Sequence, residues 1–301
     1  MPFDEKRLTA YTELATALWR TVCRSKKTFL TEPPACWFNL MNALGETLAT
    51  GNICLPVRIV DYPELFDNEG ELTLTETELK TLMDVGLMCD RSELTATEAP
   101  LGAKAAVVID RMDRSQARLY LLRQYREEWA LARKILAFTQ LTAQDSIRTS
   151  SLLTGFLRNG QTSKEQAEVI KRVLPHGFAV ITGGPGTGKT STVAKLLECA
   201  LDNKTDAVIG LAAPTGKASG RVMESVLSTL DNASDKKLFS HLSKARQEGR
   251  LKARTIHKWL VSPTSIGMRP SKTNPLEVDY LVVDEASMID LHLALRLFDV
   301  I

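Results

Sequence analysis

The stretch that most constrains this chain is 178–192, Phe-Ala-Val-Ile-Thr-Gly-Gly-Pro-Gly-Thr-Gly-Lys-Thr-Ser-Thr. Residues 178–182 form a short, apolar, β-rich run that reads as a buried strand. Residues 183–190 fit the phosphate-binding pattern G-x-x-x-x-G-K-T, and 190–200 read as the helix that follows. Each residue type has a chemical reason to be there. Gly183, Gly184, Gly186 and Gly188 let the backbone turn sharply and bring its N–H groups close to phosphate oxygens. Lys189 supplies a point charge for the β- and γ-phosphates, and the Thr190 hydroxyl is placed to hold Mg²⁺. The helix aims its positive dipole end at the same phosphates. The competing interpretation is a Gly-rich turn with a solvated lysine. Four glycines, Gly-Lys-Thr and a strand–loop–helix context favour a nucleoside triphosphate site.

Length and composition set the frame around this loop. A chain of 301 residues suggests about two domains, and 44% hydrophobic with 25% charged residues is the balance of a well-cored globular protein. The net charge of +2 conceals an asymmetry, −2 over 1–160 and +4 over 161–301. That excess alone does not argue for nucleic acid. Five scattered cysteines without a C-x-x-C suggest neither a disulfide framework nor a zinc site. The charged N-terminus is no secretory signal, and no apolar run approaches membrane-spanning length. A soluble, cytoplasmic protein with no membrane contact is expected.

Residues 1–140 read as a mainly helical module. Helices are predicted over 4–23, 35–50 and 123–139, with a further helical pattern over 72–90. A short strand is predicted at 53–57, and 105–109 with 119–122 resemble a hairpin around a charged turn. Nothing in this module carries recognisable chemistry, so a docking surface is its expected use. Residues 141–161, rich in Ser, Thr, Gln and Asn, read as a linker.

The second domain, 162–301, opens with a helix to about Leu174. Gln166 has two readings: the N3 residue of a capping box with Ser163, or an amide that reads an adenine edge. Spacing alone favours the cap. A second buried strand, 207–213, runs into Pro-Thr-Gly-Lys and a new helix. Thr215, Gly216 and Lys217 therefore sit where a second anion such as a nucleic-acid phosphate could bind, or where a helix is simply capped. Residues 236–258 carry a local net charge of +7, either a solvated face or a strand-tracking surface. Within it lie Thr255, His257 and Trp259; the tryptophan reads more simply as core than as a stacking platform. The third strand, 280–283, ends in Asp284-Glu285. A carboxylate there can hold the Mg²⁺ shell, and Glu285 can orient and deprotonate an attacking water. A metabolite kinase needs no such base, whereas a hydrolase does.

Four ordered motifs now carry a resemblance: Gly-Gly-Pro-Gly-Thr-Gly-Lys-Thr at 183–190, Ala-Ala-Pro-Thr-Gly-Lys-Ala at 212–218, Thr-Ile-His at 255–257 and Val-Asp-Glu-Ala-Ser-Met-Ile-Asp at 283–290. Together they resemble the RecD family of superfamily 1 helicases, the α subunit of RecBCD-type exonuclease V complexes. Residues 51–56 and 118–121 are similar to stretches of that family's N-terminal domain.

The resemblance implies an α/β fold: a P-loop NTPase (RecA-like) parallel-sheet domain preceded by a mainly helical N-terminal domain. It implies ATP and Mg²⁺ as cofactors. Nucleotide would be bound by Gln166, now the adenine-reading glutamine, and by Gly183, Gly184, Pro185, Gly186, Thr187, Gly188, Lys189, Thr190 and Ser191. Lys189, Asp284 and Glu285 would be catalytic, and Thr190 with Asp284 would face the metal. Single-stranded DNA would be contacted by Thr215, Gly216, Lys217, Thr255 and His257. Partners would be RecC-type and RecB-type subunits, the N-terminal module docking on the former. The implied reaction is ATP hydrolysis coupled to 5′→3′ movement on DNA in double-strand break repair and recombination.

The chain ends at 291–301 inside an apolar helical pattern. Family members continue into a Gly-Asp-x-x-Gln sensor motif and a second RecA-like domain with an arginine finger, a group worth ~10³–10⁵ in rate. The expectation is that these 301 residues bind nucleotide weakly at best and do not unwind DNA. A catalytically inactive, structural partner of a RecC-type subunit is the alternative.

Overall fold

The computed structural model describes residues 12–21, 33–61, 72–94, 105–141, 151–184, 186–233 and 236–301. It divides into two compact units, Met1–Trp129 and Ala130–Ile301.

The first unit begins with helix α1 (12–21) and α2 (Ala35–Ala49), joined where Trp37 Nε1 donates to the Ala15 carbonyl at 3.0 Å. Strands β1 (Leu55–Val60) and β2 (Leu72–Thr75) lead to α3 (Glu76–Asp84) and β3 (Met88–Asp90). A hairpin of β4 (Val107–Arg111) and β5 (Gln116–Leu121) follows. Its turn is set by Asp113, whose carboxylate accepts from the backbone N–H groups of Ser115 and Gln116 at 2.7 and 2.8 Å. The strands form one mixed sheet in the order β2-β1-β5-β4-β3. Helices hold more of the described residues than strands do, as expected, but they are built around this sheet.

The single helical pattern read over 72–90 is in fact strand, helix and strand. Thr75 and Glu78 form a reciprocal capping box that starts α3 only after β2, and Gly86, at φ +81°, closes it before β3. Of the helix predicted over 4–23, residues outside 12–21 lie outside the described residues.

Helix α4 (Leu122–Gln140) contains the division between the units. In the second unit, α5 (Ser151–Arg158) lies in the stretch read as linker. It is instead part of the packed unit, because Leu153 and Phe156 are buried in the main core and Phe156 meets Phe239 at 5.0 Å between ring centroids. Helices α6 (Lys164–Val173) and α7 (Lys189–Asn203) flank the phosphate loop. Strands β6 (Ile209–Ala213), β7 (Leu251–Thr255) and β8 (Tyr280–Val283) form an all-parallel sheet in the order β7-β6-β8. Every residue of the central strand β6 is buried, as a parallel strand covered on both faces requires. Helices α8 (Gly216–Asp231), α9 (Ser240–Gln247), α10 (Ile256–Val261) and α11 (Leu291–Phe298) complete the unit.

One predicted strand is missing. Residues 178–182 carry no sheet pairing, and Val180 is 71% exposed. A strand exists through its ladder. What anchors this run is a ring cluster, with Phe178 and Phe138 each 5.7 Å from Phe298.

Candidate nucleotide-binding site

The phosphate loop is shaped by its own backbone. Gly186 and Gly188 take φ values of +75° and +78°. Gly188 is doubly constrained, since a Cβ there would lie 2.6 Å from Gln166 Nε2. Thr187 Oγ1 donates to the Gly184 carbonyl at 2.9 Å, bracing the loop across its turn. Helix α7 starts at Lys189 with Gly188 as its N-cap and no side chain capping it. Its first N–H groups are thus not taken by a cap, which is the arrangement that accepts phosphate oxygens. The Lys189 ammonium curls over the loop and donates to the carbonyls of Gly183 and Gly184, both at 2.7 Å. Thr190 and Ser191 follow in the first turn, half-buried. Pro185 lies outside the described residues.

Gln166 is the capping residue of its first reading, and its amide also reaches the phosphate loop. It is the N3 residue of a capping box: its N–H donates to Ser163 Oγ at 3.2 Å, and its Oε1 accepts from the Ser163 N–H at 3.4 Å. Its Nε2 meanwhile reaches the phosphate loop, donating to the Thr187 carbonyl at 3.5 Å. A capping residue need not point away from the site.

The other candidates gather at the C-terminal edge of the parallel sheet. The register pairs Ala213 with Thr255 and Ala212 with Val283. The residues just beyond β6, β7 and β8 therefore emerge along one edge, where open α/β sheets bind ligands. Thr215 caps α8 by accepting from the Ala218 N–H at 3.2 Å, and Thr255 caps α10 by accepting from the Lys258 N–H at 3.1 Å. Both threonines are thus helix caps in this structure, while Gly216, Lys217 and His257 are exposed beside them. Trp259 is core: it is 5% exposed and donates to the Leu211 carbonyl at 3.1 Å.

Asp284 continues the ladder, its N–H donating to the Ala212 carbonyl at 2.9 Å, and both Asp284 and Glu285 are exposed. Glu285 adopts φ 52° and ψ 39°, the left-handed region, the one non-glycine to do so among the described residues. Backbone strain of this kind concentrates at functional sites. Among the described residues no hydrogen bond or ion pair joins the acid pair to the phosphate loop.

A hydroxyl from Thr190 and a carboxylate from Asp284 are hard oxygen donors of the type that suits Mg²⁺. That ion keeps several waters and binds through one or two protein oxygens plus substrate phosphates. Each donor is of a type that this metal takes.

Two charged residues escaped the sequence reading. Lys195 and Glu198, on α7, are 3% and 0% exposed. Their signal was available: both interrupt an otherwise apolar run, Val-Ala-Lys-Leu-Leu-Glu-Cys-Ala-Leu. Among the described residues, no helix is long and apolar enough to cross a membrane.

Comparison with known proteins agrees with this geometry. The AAA domain family matches residues 166–301. The RecBCD enzyme subunit RecD of Mycolicibacterium smegmatis is 37% identical over 191 residues, 61% of this chain and 32% of the relative. That of Haemophilus influenzae is 40% identical over 143 residues, 44% of this chain and 21% of the relative. The ATP-dependent RecD2 DNA helicase of Deinococcus radiodurans is 27% identical over 231 residues, 77% of this chain and 26% of the relative. The matched stretches therefore span about a third or less of these relatives' lengths. Over the matched residues this chain is similar to RecD proteins, and its second unit has the parallel-sheet architecture of a P-loop NTPase.

Proposed function

We propose that this chain carries the ATP-hydrolysing site of a RecD-type 5′→3′ DNA translocase or helicase. It would work with RecC-type and RecB-type subunits in double-strand break repair and recombination. One observation carries the reading: a phosphate loop on the uncapped N-terminus of α7, in a unit whose parallel sheet delivers an acid pair at the end of β8. The printed names of the matched relatives, a RecBCD subunit and an ATP-dependent DNA helicase, support the same class.

In this reading the loop N–H groups from 183–191 cradle the phosphates. Lys189 exchanges its carbonyl partners for phosphate oxygens, so the loop opens around the ligand rather than being built by it. Gln166 meets the adenine. Glu285 orients the attacking water and takes its proton, a role worth ~10²–10⁴ in rate. Mg²⁺, when bound, neutralises phosphate charge, with Thr190 and Asp284 as its protein oxygens. Thr215, Gly216, Lys217, Thr255 and His257 contact the backbone of single-stranded DNA. Residues 1–140 form the docking module for a RecC-type partner.

The test is steady-state ATP hydrolysis by the chain with and without single-stranded DNA, with Lys189→Ala as the blank. Slow turnover that disappears in the variant is the expected result, and stimulation by DNA would show that strand contact is coupled to the site without a second domain. Turnover equal in chain and variant would refute an active hydrolytic site and leave a structural role.

A further inference from the structure

We propose that Lys195 is a positioning residue that sets the orientation of the Gln166 amide, and with it the donor offered to the purine ring. The inference rests on the reading that Gln166 meets the nucleotide base.

Lys195 is a buried cation without a carboxylate partner among the described residues, an arrangement that costs free energy unless its donors are used. Burial holds its ammonium below the ordinary lysine range. Its Nζ donates to the Gln161 carbonyl and, at 3.4 Å, to Gln166 Oε1. Gln161 is itself held firmly. Helix α5 ends in a left-handed turn at Gly160, φ +64°, with the Gln161 N–H donating to the Phe156 carbonyl at 3.0 Å and the Gly160 N–H to the Leu157 carbonyl at 3.2 Å. Lys195 thus ties the turn between α5 and α6 to the phosphate-loop helix.

The consequence falls on Gln166. Its Oε1 faces two donors, Lys195 Nζ and the Ser163 N–H. Flipping the amide would set its NH₂ group against both, one of them a cation. The oxygen is therefore held inward, and Nε2 is held on the side of Thr187 and Gly188. An amide N–H₂ presented there suits an acceptor on the purine, and N7 is the ring nitrogen an amide donor can reach beside the exocyclic group. Neighbouring Glu198 offers Lys195 no pairing, because its carboxylate is spent on α9.

The experiment measures equilibrium binding of ATP and of 7-deaza-ATP, which lacks the N7 acceptor, to the full chain, Gln166→Ala, Lys195→Met and Lys195→Gln. The chain should prefer ATP by roughly tenfold, the worth of one hydrogen bond to an otherwise unpaired donor. That preference should fall to within about twofold in Gln166→Ala and in Lys195→Met, and survive in Lys195→Gln, which keeps a donor. A merely structural lysine would change both affinities together and leave their ratio intact. A preference lost in Gln166→Ala but kept in Lys195→Met overturns the role of Lys195 alone. No preference in the unmodified chain overturns the reading of Gln166 as well. If Lys195→Met fails to fold, Lys195→Leu, which also lacks a donor, decides, and a preference kept there overturns the role of Lys195.

Discussion

Glu285 is the residue at which function and backbone physics pull apart. A left-handed conformation costs a non-glycine residue about 1–2 kcal/mol, and glycine recovers most of this while adding chain entropy of about 0.5–1 kcal/mol to the unfolded state. Glu285→Gly should therefore leave stability unchanged or raise it by up to ~1 kcal/mol in urea titration, whereas glycine in a helix interior costs ~1 kcal/mol. The same change should reduce ATP turnover by at least ~10² if the carboxylate is the base. A variant destabilised by more than about 1 kcal/mol would show that contacts of the Glu285 side chain outweigh the strain. Much at this scale was legible in advance. The glycine pattern announces a sharply turning loop and the apolar run before Asp284 announces a strand end, and both lie where the sequence puts them. The strain at Glu285 was not legible, because glutamate has no preference for that region and only the turn after β8 imposes it.

Among the elements, α9 depends most on a distant side chain. Its N-terminal N–H groups are not satisfied by its own N-cap, Phe239, which offers no side-chain acceptor. Glu198, fully buried on α7, supplies the acceptor: its carboxylate takes the His241 N–H at 3.0 Å and the Leu242 N–H at 2.7 Å, with His241 Nδ1 at 2.9 Å. Glu198→Ala leaves those groups without their acceptor at a largely buried helix end and should cost about 3 kcal/mol in chemical denaturation. A loss below about 1 kcal/mol would mean that water or a shifted α9 replaces the cap. Long-range caps of this kind leave no local spacing, which is why the capping box of Ser163 and Gln166 could be read from the sequence and the Glu198 cap could not. Strands failed for a related reason. Residues 178–182 have the composition of a strand, yet composition reports propensity and not the presence of a ladder partner. Strands β2 and β3 were hidden because four and three residues are too few to display an alternating pattern beside the stronger helical period of α3.

On the scale of the whole molecule, the net charge of +2 is a poor guide to what the surface attracts, because local fields rather than totals steer a polyanion. The second half carries +4 and the stretch 236–258 alone +7, but structure thins that run selectively. Arg250 is spent on Glu248 at 2.6 Å and on the Ala207 carbonyl at 2.7 Å, and Arg254 lies over the Trp259 ring at 5.0 Å. Lys252 and Lys258 remain exposed, as does Lys217 at the start of α8, beyond the sheet edge where the acid pair emerges. If Lys217 contacts a DNA phosphate, Lys217→Ala should weaken binding of oligothymidine and of mixed-sequence strands alike. It should also lower the slope of log affinity against log salt by about 0.7, the counterion release of one single-strand phosphate. Lys80, on α3 in the first unit, serves as the control, and Lys80→Ala should leave the slope unchanged. Fluorescence anisotropy across roughly 50–300 mM salt measures both quantities. Equal slopes for Lys217→Ala and the unmodified chain would assign this lysine to solvent and leave the N-cap of Thr215 as the motif's only role. A lowered slope with intact ATP binding would place the polyanion at the C-terminal edge of the sheet that also carries the acid pair. Nucleotide chemistry and strand contact would then share one rigid element, which is the mechanical requirement for coupling hydrolysis to movement.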